Sequence, residues 1–171
     1  MPTDTTDASA APPLVLGSTS PYRRELLSRL RLPFTTAAPQ VDETPLPHET
    51  PAALARRLAL AKAREVAARH PQAIVIGADQ VADLAGEPLG KPGSHERAVA
   101  QLQRMSGQTV VFQTALSVVC LASGFEQSEL APVEVRFRAL DAGEIERYLR
   151  AEQPYDCAGS AKSEGLGIAL L

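Results

Sequence analysis

The stretch Leu14-Val15-Leu16-Gly17-Ser18-Thr19-Ser20-Pro21 constrains this chain more than any other. Three apolar residues read as a strand and Gly17 stops it. Leu26, Leu27 and Leu30 then follow at helical spacing. Ser20 before Pro21 supplies a helix N-cap with proline at the first helical position. Yet the first turn carries Arg23 and Arg24, where the helix dipole favours acidic side chains. Two guanidinium groups beside free backbone N–H groups repel them unless an anion lies between. The join therefore reads either as a phosphate cradle or as a capped helix with two solvated arginines.

Downstream, strand and helix patterns alternate. A short strand is expected over residues 34–37, followed by a proline-rich loop over 39–47. Thr50-Pro51 opens a long helix that ends near His70, before Pro71. Residues 73–78 are continuously apolar, as in a strand buried on both faces, and 80–89 extend it with a turn near Ala85-Gly86. A helix is expected over His95–Met105. Long strands over 109–121 and 125–137 form a hairpin through Ala122-Ser123-Gly124. The final expected helix, 141–150, has Asp141 as N-cap and Glu144 at capping-box spacing. Residues 1–13 are small, polar and proline-bearing, the composition of a disordered leader. The rest reads as one α/β domain, residues 14–171.

Net charge narrows the function classes. At −3 overall, the net charge does not point to a general nucleic-acid-binding surface, so a polyanion must be met by a local basic cluster. That favours a small ligand in a pocket. No apolar run approaches membrane-spanning length, and no secretory signal opens the chain. Cys120 and Cys157 show no metal-ligand spacing and fit free thiols in a cytoplasmic protein.

Asp79 ends the apolar run of the expected central strand, where open α/β sheets place ligand crevices, although such an Asp can equally cap the next element. Asp42-Glu43 adds carboxylates able to hold Mg²⁺ or Mn²⁺, or else forms a solvated acidic turn. Lys62 falls in the helical row Leu54, Leu58, Lys62, Val66, so it either snorkels or reaches into a cleft. Lys91 lies in Gly90-Lys91-Pro92, which lacks Walker A spacing. No nucleophile elbow or histidine ligand spacing is present. Cations Arg23, Lys62 and Lys91, hydroxyls Ser18 and Ser20, and carboxylates Asp42, Glu43 and Asp79 suit metal-assisted phosphoryl chemistry.

Taken in order, Ser18-Thr19-Ser20-Pro21-Tyr22-Arg23-Arg24, Val41-Asp42-Glu43, Ala61-Lys62-Ala63, Ile76-Gly77-Ala78-Asp79-Gln80, Gly90-Lys91-Pro92 and Ser106-Gly107 resemble the Maf family of nucleoside triphosphate pyrophosphatases. The resemblance implies an elongated mixed α/β sheet with flanking helices and a central substrate groove, related to inosine triphosphatases. It also implies hydrolysis of a nucleoside triphosphate to monophosphate and diphosphate with a divalent metal. Asp79 would be general base or metal ligand, with Glu43 assisting. Ser18, Arg23, Lys62 and Lys91 would hold the triphosphate.

Tyr22, Gln80 and Glu164 resemble the 7-methyl-GTP branch, whereas the dTTP and UTP branch shows Arg, Thr and Gln there. An aromatic face attracts the cationic methylated base, and a carboxylate accepts from its N–H donors. A non-catalytic nucleotide-binding regulator is the alternative from another class, and a homodimer is left open. Family members continue beyond the segment matching residues 167–171 with a loop and a helix, which this chain is expected to lack.

Overall fold

Ile74, Val75 and Ile76 are β-branched, and Gly77 and Ala78 after them are small; this run begins the central strand of the computed structural model. The structure describes residues 11–171. Its elements are β1 (Leu14–Gly17), α1 (Pro21–Ser28), β2 (Thr35–Ala37), α2 (Pro51–Arg69), β3 (Ile74–Leu84), β4 (Glu87–Leu89), α3 (His95–Met105), β5 (Thr109–Cys120), β6 (Phe125–Arg136) and α4 (Ala142–Glu152). Short 3₁₀ turns lie at Leu121–Ser123, Ala158–Ser160 and Leu166–Leu170. One six-stranded sheet has the order β2-β1-β3-β5-β6, with β4 folded back on β3. β1 runs parallel to β2 and β3, while the β3–β4, β3–β5 and β5–β6 pairs are antiparallel. The expected mixed sheet with flanking helices is what forms.

Register divides the core. Val75 pairs with Val119 and Asp79 with Ala115, so Val75, Gly77, Asp79 and Val81 share one sheet face. α2 covers it with Leu54, Ala55, Leu58, Ala59, Ala63 and Val66, all buried. Ala82, opposite Phe112, faces the other way, and Leu102, Met105, Ile145 and Leu149 of α3 and α4 pack there.

Gly77 fixes how near α2 comes. A Cβ at this position would stand 2.8 Å from the Ala63 Cβ and closer still to the Ala59 carbonyl and the Ala63 amide. The stripe Ala55, Ala59, Ala63, Ala67, wholly buried, lets the helix backbone approach the sheet.

Local signals set most boundaries. Ser20, Thr50, Ser94 and Asp141 cap the four helices, and the Asp141–Glu144 capping box is complete. Ala85 and Gly86 take positive φ of 53° and 90°, turning β3 into β4. α1, which the helical spacing predicts over Pro21–Arg31, ends at Ser28, because Arg31 turns left-handed and Pro33 forces Leu32 out of helical geometry. Its leucines are not a buried face: Leu26 is 51% and Leu30 64% exposed. α4 continues past Arg150 to Glu152, where left-handed Gln153 and then Pro154 stop it.

Of the expected leader, residues 1–10 lie outside the described residues; residues 11–13 are exposed, and the Pro13 carbonyl accepts from Ile74 N at 2.9 Å. Both cysteines are free. Among the described residues no helix is long and apolar enough to cross a membrane.

Gly77→Ala must push α2 off the sheet, since backbone atoms rather than flexible side chains occupy the space. Overpacking of this kind costs roughly 1–3 kcal/mol. A urea midpoint unchanged from wild type would refute the close-approach account.

Candidate active site

The same close approach carries Lys62, one residue before Ala63, to the middle of β3. The Lys62 side chain is 7% exposed, and its Nζ lies 2.7 Å from Asp79 Oδ1 and 2.6 Å from Glu43 Oε1. Its place in the apolar helical row thus reflects a buried lysine paired with carboxylates rather than one snorkelling to solvent. Asp79 is nearly buried, at 10%, whereas Glu43 is 54% exposed. The cation therefore bridges a carboxylate within the fold and one from the loop above it.

That loop is clamped in place. Arg57 of α2 grips Glu49 with Nε and Nη2 at 2.6 and 2.9 Å and donates to the Thr44 carbonyl at 3.0 Å. Glu49 also accepts from Leu46 N, and with Arg57 this holds its carboxyl down at about 2. Asp42 turns inward on its own loop, accepting from Thr44 N at 2.9 Å. Of the Asp42-Glu43 pair, only Glu43 reaches the cluster.

Arg23 approaches from α1, half-buried, with Nη1 donating to the Ala78 carbonyl at 2.8 Å. Burial lowers its pKa, opposed by the charges of Asp79 and Glu43. It thus lies close enough to feel both carboxylates. Burial raises Asp79, against the hydrogen bond and charge of Lys62 and the charge of Arg23. For Glu43 burial also pushes upward, but Lys62, Lys91 and Arg23 together outweigh it and hold the carboxyl below its usual range. Lys91, exposed on its loop, reaches the cluster through this charge. Ser18 is buried, and its Oγ accepts from Ser20 N at 3.1 Å. Ser20 in turn caps α1 through Arg23 N.

Asp79, Glu43, Lys62, Arg23 and Lys91 are therefore drawn into one electrostatic group beside the start of α1. Each carboxylate has one oxygen on Lys62 and one without a hydrogen bond among the described residues. Two free carboxylate oxygens suit a hard divalent cation that also takes phosphate oxygens. No cluster of three or more His, Cys, Asp or Glu able to hold a metal occurs among the described residues, so the protein alone would not encage one.

The three residues expected around a base are arranged differently. Consecutive strand residues face opposite ways, so Gln80 lies across β3 from Asp79 and donates to Thr114 Oγ1, its cross-strand neighbour, at 2.8 Å. Tyr22 is half-buried against the 156–162 segment, with Lys162 Nζ 5.5 Å from its ring centroid. Glu164 is exposed, accepts from Ser163 Oγ, and adds its charge at Cys157. Burial, with Asp156 and Glu164 contributing, pushes the Cys157 thiol up to about 11. No hydrogen bond joins Gln80 to Tyr22 or Glu164 among the described residues.

Lys162 carries no signal in the sequence that points to its partner. The structure pairs it with Glu152 of α4 at 2.7 Å, and Glu152 also accepts from Leu166 N at 2.8 Å. Lysine beside glycine and serine in a loop carries no signal of a partner on a distant helix.

Lys62→Met leaves a buried carboxylate without its counter-ion, costing about 3 kcal/mol at neutral pH. Without the cation Asp79 moves further above its unfolded value, so the folded state holds its proton to higher pH. The deficit should narrow as pH falls through the raised Asp79 value toward the unfolded one. Wild-type Glu43, held low, adds stability above its unfolded value, and losing that contribution also weighs most at higher pH. Urea melts across a pH series measure this; a deficit independent of pH would contradict the pairing.

The geometry can be set beside known proteins. A family model described as "Maf-like protein" matches residues 13–171. The chain is 79% identical over 159 residues to a protein of Polaromonas sp. (strain JS666 / ATCC BAA-500) named "7-methyl-GTP pyrophosphatase", covering 93% of this chain and 73% of that one. A protein of the same name from Albidiferax ferrireducens is 68% identical, covering 92% and 79%. Among solved structures, "Structure of a HAM1 protein from Coxiella burnetii" aligns with a TM-score of 0.54 at 15% identity, over 92% of this chain and 90% of that one. That likeness concerns the fold.

Proposed function

The chain belongs to the Maf-like family, and we propose that it is a nucleoside triphosphate pyrophosphatase that hydrolyses 7-methyl-GTP to 7-methyl-GMP and diphosphate. The observation that carries this reading is the buried Lys62 between Asp79 and Glu43, in a chain so close to proteins bearing that activity in their names. A dTTP or UTP pyrophosphatase and a non-catalytic nucleotide binder are the outcomes it must be tested against.

Ser18, Arg23, Lys62 and Lys91 bind the triphosphate, and their charges offset that building on the departing diphosphate. Backbone amides at the start of α1 add donors there. Asp79 is the general base. Its Oδ1 is fixed by Lys62, and the other oxygen takes a proton from water as the water oxygen bonds to the α-phosphorus and the α–β bridge breaks. Burial moves its pKa toward the working range, in the direction a base needs. In the alternative role, Asp79 with Glu43 would hold Mg²⁺ or Mn²⁺ through that same oxygen instead of taking the proton, and the bound metal would supply neutralisation of phosphate charge and a lower pKa for the attacking water. Tyr22 stacks on the cationic methylated base, and Glu164 accepts from its N–H donors. The Lys162 ammonium above the Tyr22 ring supports a role for that ring as a cation platform, and Glu152 offsets the charge of Lys162.

Asp79→Asn should lower turnover by two orders of magnitude or more, of the size general-base catalysis supplies, while nucleotide binding stays close to wild type. Diphosphate release and equilibrium binding separate the two effects. Full turnover in this variant would remove Asp79 from the chemistry.

Specificity is read by replacing Tyr22, Gln80 and Glu164 together with Arg, Thr and Gln. Use of 7-methyl-GTP should fall and use of dTTP or UTP should rise, with single changes doing less because the residues share one ligand. A wild-type protein that hydrolyses dTTP as fast as 7-methyl-GTP would sink the branch assignment. Tight binding without diphosphate release, with metal supplied, would favour the non-catalytic binder.

A further inference from the structure

Two loops serve the proposed site from different parts of the chain. The Gly90-Lys91-Pro92 loop carries a phosphate-binding lysine, and the 156–164 segment carries Glu164 and packs against Tyr22. α3 lies beneath both. Its buried residues Ala98, Leu102 and Met105 face the core, and Gln101 occupies the same side of the helix.

The Gln101 side chain touches both loops. Its Nε2 donates to the Gly90 carbonyl at 3.0 Å, and its Oε1 accepts from Ser160 Oγ at 2.6 Å. The amide orientation is dictated by chemistry, because a carbonyl oxygen can only accept and must face the amide nitrogen. Gly90 O also receives Gly159 N at 3.3 Å, and Gly93 N donates to Tyr155 O at 3.0 Å. The two loops are therefore tied backbone to backbone, with Gln101 bracing the joint.

Ser160 needs that brace. It is wholly buried and holds φ at 55°, a left-handed conformation costly for a residue with a Cβ. Its hydroxyl is held by Gln101. Its carbonyl accepts from Tyr148 Oη at 3.1 Å, and the same Tyr148 oxygen accepts from Lys162 N at 3.0 Å. Strain held by two side chains from two helices locates Lys162, two residues on, over the Tyr22 ring and sets the course of the chain toward Glu164.

We propose that Gln101 is a positioning residue that couples the phosphate-binding Lys91 loop to the base-recognition loop through its paired bonds to Gly90 and Ser160. The inference rests on the proposed pyrophosphatase reading for what each loop does, but the joint itself is a property of the fold. Neither bond touches substrate. Gln101 sets where Lys91 and Glu164 stand relative to one another.

The substitutions separate the two arms. Gln101→Glu keeps an acceptor for Ser160 but turns an oxygen toward the Gly90 carbonyl, so it disturbs the Lys91 loop. It should lower kcat/KM about three- to tenfold for 7-methyl-GTP and dTTP alike, the effect of one lost hydrogen bond, leaving their ratio unchanged. Ser160→Ala should lower the ratio with less effect on the common factor. Gln101→Leu should do both.

Amide hydrogen exchange supplies a readout independent of activity: Gln101→Leu should speed exchange at Gly93 and at residues 159–162 together. Acceleration in one loop alone, or in neither, overturns the coupling whatever the kinetics. So does a Gln101→Glu variant that loses discrimination while keeping its common rate. If the wild type hydrolyses no triphosphate, the pyrophosphatase reading fails, and exchange still decides whether the joint exists.

Discussion

A lysine buried between two carboxylates is the interaction on which the rest of this structure depends. A buried ammonium is tolerated only when its charge is answered, and Asp79 and Glu43 answer it at 2.7 and 2.6 Å. For the pair to form, α2 must lie on β3 closer than ordinary side chains permit. Gly77 and the alanine stripe of α2 provide that spacing. The Arg57 clamp on Glu49 and Thr44 then holds the Glu43 loop above it. Packing, loop anchoring and charge are therefore one problem solved jointly.

The sheet explains why phosphate and base handling are divided between two parts of the protein. β3 is long enough to be packed by α2 along one part and by α3 and α4 along another, on opposite faces. Asp79 and Gln80 fall near the change of face and project to opposite sides. Arg23, crossing to the Ala78 carbonyl, pins α1 to the same point of the strand. A triphosphate beside Asp79 and a base nearer Tyr22 would then be read by different layers, which places a premium on the contacts joining them.

Much of this was legible in the chain itself because the signals are local. N-caps at Ser20, Thr50 and Asp141, prolines at helix starts and the Ala85-Gly86 turn define boundaries through bonds spanning only a few residues. The long β5–β6 hairpin followed from runs of apolar and β-branched residues, and the mixed sheet was what the family resemblance implied. The ordered motifs also picked out Asp79, Lys62 and Glu43, although Asp79, expected at the end of the central strand, lies midway along β3, paired with Ala115.

What the sequence determined by itself, then, was the identity of the elements, the charge inventory of the site and the family pattern. Tertiary structure decided which charges meet. Asp42 and Glu43 are adjacent and chemically alike, yet one caps its own turn and the other reaches Lys62. Leu26, Leu27 and Leu30 have the spacing of a buried face, yet Leu26 and Leu30 are exposed and Leu27 only half-buried, because periodicity marks a face without saying what covers it. Lys162 over Tyr22, with Glu152 beside it, and Gln101 between Gly90 and Ser160 join residues far apart in the chain. Such partnerships arise from strand register and helix placement, and a short motif carries no record of either.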